Sequence, residues 1–134
     1  MAMRRVGRPA AQTFIVNNVV PAADLLDENL SFRQFFHLTS SIGRCVSFAA
    51  RRGLIANRMT CHRCLHHMSF VSERTVADRW RWHCRRCHLW FSIRHNSFFK
   101  LSHLSLQQSL TVVFLWSKEV RLSTVTEEVG MSED

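Results

Sequence analysis

The sequence predicts a small α+β fold: N-terminal helices, a three-stranded antiparallel sheet gathered at one end by paired cysteines, and a C-terminal helical pair. Three observations predict it. Apolar residues recur at helical spacing behind capping serines on both sides of the chain's middle, apolar and polar residues alternate over 79–83 and again over 89–94, and two C-x-x-C pairs lie in the same segment. On this reading residues 1–23 form a mobile tail, 24–58 a helical segment, 59–100 the cysteine-bearing sheet and 101–134 the helical pair.

Each element has a local cause. Gly7, Pro9, Asn17, Asn18 and Pro21 surround the short apolar group Phe14, Ile15 and Val16, which predicts a tail. Ser31 with Gln34 makes a capping box ahead of Phe32, Phe35, Phe36 and Leu38. Ser40 or Ser41 then caps a second helix running through Arg52, with Ile42, Cys45, Val46 and Ala49 inward and Gly53 as its stop. Cys45 has no cysteine at ligand spacing and is read as a small buried hydrophobe. Met68–Val76 reads as the first strand, with a turn at Ala77-Asp78. The run Arg79-Trp80-Arg81-Trp82-His83 places Trp80 and Trp82 on one face of the second strand and Arg79, Arg81 and His83 on the other. Leu89, Phe91 and Ile93 alternate with Trp90, Ser92 and Arg94 in the third. Ser105 with Gln108 opens a helix carrying Leu106, Leu110, Val113 and Phe114. Thr124 with Glu127 opens another that ends at Gly130.

A formal net charge of +8 favours an anionic partner, with nucleic acid as the first candidate. All but two of the eighteen basic residues are Arg, whose planar fork suits phosphate and guanine. Charge concentrates in residues 61–100, where Arg63, Arg74, Arg79, Arg81, Arg85, Arg86, Arg94 and Lys100 face only Glu73 and Asp78. The best apolar run, Leu110–Trp116, is far shorter than the roughly 20 residues that span a bilayer, so no membrane partner is expected. Five cysteines, four of them in C-x-x-C pairs, argue against a secreted disulfide framework and for a reducing compartment.

Cys61, Cys64, Cys84 and Cys87 follow the spacing of a four-thiolate zinc site: two tight turns, each aiming two sulfurs at one ion. Four thiolates close the tetrahedron and leave no open position, so one structural zinc ion is expected, without catalysis. His62, His66, His67, His83 and His88 crowd the same stretch, and one of them replacing a thiolate is the alternative ligand set.

With these residues in view, a resemblance emerges. Gly53-Leu54-Ile55, Cys61-His62-Arg63-Cys64, Arg81-Trp82-His83-Cys84-Arg85-Arg86-Cys87, Phe91-Ser92-Ile93-Arg94, Ser97-Phe98-Phe99, the helix ending in Leu115-Trp116, and Val129-Gly130-Met131-Ser132 resemble, in that order, the N-terminal region of Merlin-type transposases and their bacterial insertion-sequence relatives. The resemblance implies a zinc ribbon followed by a helix-turn-helix, here incomplete, that engages transposon-end DNA. It also implies that the family's catalytic domain is missing from this chain, which is therefore not expected to be an enzyme. The sequence departs from the pattern at His62 and Leu65, at His88, and at Asn96, where the family has glycine before Ser-Phe-Phe.

The function expected is a zinc-dependent module that binds duplex DNA through Arg79, Arg81, Arg85, Arg86, Arg94 and Lys100. It would work in the nucleus of a eukaryote, or otherwise in the cytoplasm. The alternatives are a zinc-ribbon adaptor that binds a protein partner or itself, and a decaying transposase fragment without selected activity. Exposure of Trp80, Trp82, Trp90 and Phe98 is what separates an adaptor from a DNA-binding module.

Overall fold

A computed structural model describes residues 12–21, 23–24 and 28–118. These form a small α+β fold of three helices and one three-stranded antiparallel sheet in the order α1 (Phe32–Leu38), α2 (Ile42–Arg51), β1 (Ser69–Ser72), β2 (Trp80–His83), β3 (Trp90–Ser92) and α3 (Leu106–Ser117). No helix among the described residues is long and apolar enough to cross a membrane. The expected helix from Thr124 to Gly130 lies outside the described residues.

The helices start where the serines dictate. Ser31 and Ser105 each accept the amide of the residue three ahead, Gln34 and Gln108, whose side-chain oxygens accept the serine amides in return. Ser41 caps α2 through the amide of Arg44, and Gly53 ends it at a φ of 72°, a left-handed turn that glycine adopts without a Cβ clash. Phe35 of α1 stacks face to face on Phe114 of α3, with centroids 4.1 Å apart, and meets Phe48 of α2 edge on at 5.5 Å. Cys45 is buried as expected; its thiol donates to the Thr39 carbonyl, and burial pushes it up to about 11.

In the sheet β2 is central, with Phe70 opposite Trp82 and Trp82 opposite Phe91. That row, with Trp80, is the inner face, and Trp82 is fully buried. Arg81 and His83 project from the other face, opposite Ser92 and Trp90 of β3. The first strand is shorter than expected. The chain leaves β1 after Ser72, and a loop closed by the Glu73 amide on the Arg79 carbonyl carries it to β2. Arg79 therefore sits in this loop at a φ of 69° and not in the strand. Met68 and Trp82 belong to the same buried cluster as Phe35, Cys45 and Leu110, so sheet and helices share one core.

The described part of the expected tail is a correction. The Asn57 side chain accepts the amides of Ile15 and Val16 and donates to the Val16 carbonyl, while Val20 donates to Arg51 and Phe70 to Gln12. Val16 is buried. The segment from Gln12 to Val20 is thus bracketed onto the loop after α2 and the free edge of β1, which a three-strand sheet would otherwise leave unpaired.

Candidate metal centre

Two turns of identical construction carry the four cysteines. In the first, the Leu65 amide donates to the Cys61 carbonyl and the Cys61 amide to His66; in the second, His88 donates to Cys84 and Cys84 to Leu89. Both turns close through a left-handed residue, Leu65 at 62° and His88 at 58°. Neither is glycine, so each turn stores the Cβ clash of that conformation, about 1–2 kcal/mol. The left-handed Asn96, at 59°, is milder because asparagine visits this region more readily.

The turns bring the sulfurs of Cys61, Cys64, Cys84 and Cys87 within 4.8 Å of one another, with Cys64 and Cys84 at 3.6 Å. A tetrahedron with metal–sulfur bonds of about 2.3 Å separates its sulfurs by about 3.8 Å, so the quartet can hold one metal ion. Cys61 and Cys84, the first of each pair, are buried, and their partners are half-buried. Backbone amides already point at sulfur: that of Cys87 lies 3.4 Å from the Cys84 Sγ. The Cys64 amide chiefly, with that of Arg63, draws the Cys61 thiol down to about 6 against the effect of burial. Burial first, and then the neighbouring thiols, push Cys87 up to about 12. Four sulfurs this close cannot all ionise by themselves, and a bound cation reverses that penalty. No histidine joins the quartet among the described residues.

The basic residues divide into three groups. Arg85 and Arg86 stand exposed on the second turn, and Arg86 reaches across to the His66 ring beside the first turn, at 2.9 Å. Arg63 on the first turn and Lys100 beyond β3 are also exposed. None of these four pairs with a carboxylate among the described residues. The second group is partly engaged. Arg79 donates to the Arg74 carbonyl, and Arg81 meets Glu73 at 3.4 Å and lies 4.3 Å over the Trp90 ring. Positive charge accumulates here. Burial first, then His88, Arg85 and Arg81, hold the His83 imidazole below its ordinary range.

Arg94 is the correction. It is 7% exposed and spends its guanidinium on a two-pronged pair with Asp78, both bonds at 2.8 Å, and on the carbonyls of Ser102 and Leu104. It ties the β1–β2 loop to the approach of α3 and is not available to phosphate. Strict alternation pointed it outward, but β3 ends at Ser92, where a turn takes over and the alternation no longer applies. Arg63 was legible as charge but not assigned a role; its place inside a C-x-x-C turn was the signal.

Compared with known proteins, the chain matches no family model, no curated protein and no solved structure.

Proposed function

We propose that this chain is a zinc-dependent DNA-binding module, a zinc ribbon in which one structural zinc on Cys61, Cys64, Cys84 and Cys87 fixes basic turns against duplex phosphate. The observation that carries it is the placement of Arg63, Arg85 and Arg86, exposed and without a carboxylate partner among the described residues, on the two turns that converge on the sulfur quartet. Four thiolates favour zinc among the common ions and leave it no open coordination position. The metal's role is then to hold the arginines, with no part in chemistry. Arg79, Arg81 and Lys100 extend the surface, and Arg94 is withdrawn from it. The sequence resemblance to Merlin-type transposases supports DNA as the anion and a transposon end as its source.

Metal analysis and gel retardation test this together. The purified protein should carry one zinc per chain; less than half an equivalent would refute the metal. A duplex of about 20 base pairs should be retarded at low salt, with a log-log salt slope of about 0.9 per phosphate neutralised. Changing Arg85 and Arg86 to Ala should lower that slope by about 2. No retardation at low salt would refute the DNA reading.

A second reading has its own support. Phe98 and Leu101 are 79% and 86% exposed on the loop after β3, which an adaptor for a protein partner would use. Trp82 is buried and Trp80 half-buried, so these two contribute little to such a surface, while Trp90 on β3 is exposed.

A further inference from the structure

We infer that a cleft at the β1–β2 loop end of the sheet takes an unpaired nucleotide of a DNA strand, its base against Trp90 and its phosphate on Arg81. This rests on the proposed DNA reading and adds to it a preference for single strands. The cleft has a volume of about 440 Å³ and is walled by Trp80, Trp90 and Phe91, with Arg81, Arg94 and His103 among its polar lining. That lies within the range of pockets holding small ligands and has room for one base with its sugar-phosphate.

Three features favour a base over a plain anion. Trp90 is 41% exposed, although tryptophan is a residue that folding ordinarily covers. The Arg81 guanidinium lies over its ring and the His83 ring stacks on it at 3.9 Å, so the exposed remainder of the indole is a π-surface next to a planar cation, the pair that single strands use for base and backbone. The Arg81 Nε is buried without a hydrogen-bond partner, an orphaned donor of the kind that a seated oxygen satisfies. The one carboxylate lining the cleft, Asp78, is neutralised by Arg94, and Arg81 meets Glu73 through one terminal nitrogen at 3.4 Å while its Nε keeps no partner. A duplex keeps its base faces stacked and offers such a cleft nothing, whereas a single strand offers a ring face with every nucleotide.

Fluorescence anisotropy on the zinc-loaded protein tests this, with a labelled 15-mer of thymidylate and a labelled 15-base-pair duplex at one salt concentration. Trp90→Ala should weaken single-strand binding about tenfold and leave the duplex within twofold. Trp90→Phe should recover most of the loss. Trp90→Leu, which keeps apolar cover without a ring face, should behave as the alanine variant does and decides the matter if Trp90→Ala fails to load zinc. Equal losses on both probes, or none on either, would overturn the inference while leaving duplex binding standing. Full competition by millimolar thymidine monophosphate would also overturn it, by assigning the cleft to free nucleotides. Wild-type protein that binds neither probe would defeat the DNA reading and this inference with it.

Discussion

The helical end and the cysteine end of this molecule are held by different physics. At the helical end each helix begins on a serine cap, and the contact between α1 and α3 is a stacked pair of phenylalanines. At the cysteine end the strands have four, four and three residues, and four non-glycine residues, Leu65, Arg79, His88 and Asn96, are bent into left-handed backbone, two of them in the cysteine turns. A sheet this small buries too little to offset such strain by packing. Strain is tolerated where a bound metal ion could offset it, and among the described residues the helical end shows left-handed backbone only at Gly53.

Metal removal tests that contrast hardest. A strong chelator, or Cys84→Ser, should remove a stabilisation on the order of 10 kcal/mol. Because Met68 and Trp82 share the buried cluster with Phe35 and Leu110, helical circular dichroism and tryptophan fluorescence should fall in one step. Helices of 7, 10 and 12 residues are too short to persist unpacked. A helical signal that survives chelation would show two independent ends.

The Asp78–Arg94 pair joins the ends, since Arg94 also holds the carbonyls that precede α3. Asp78→Ala strands a buried guanidinium and should cost about 3–5 kcal/mol in urea denaturation of the zinc-loaded protein. A loss below about 1 kcal/mol would mean that the bridge is not what couples them.

The smallest effect has the opposite sign. Leu65→Gly and His88→Gly should each stabilise the loaded protein by about 0.5–1 kcal/mol, the relief of a left-handed Cβ less glycine's greater unfolded freedom. Leu65 is well exposed, so little burial is lost with its side chain. Destabilisation by both would show that the turns are not strained, and the contrast between the ends would fail.

Much of this was legible in the residues. Both capping boxes, the stop at Gly53, the shared face of Trp80 and Trp82 and the grouping of four cysteines follow from patterns only a few positions long. The C-terminal helix shows where such patterns weaken. Leu115 is buried and Trp116 exposed, a choice made by what lies opposite and not by spacing alone.

By itself the sequence determined which atoms can meet through short covalent spacing: two sulfurs per turn, a serine and its amide, alternate residues on a strand. Only the tertiary structure decided the fates of Arg94 and of the segment from Gln12 to Val20. Arg94 meets a carboxylate 16 positions away, and Ile15 meets Asn57 across 42. A partner at that distance is chosen by the packing of the intervening chain, which no local period records.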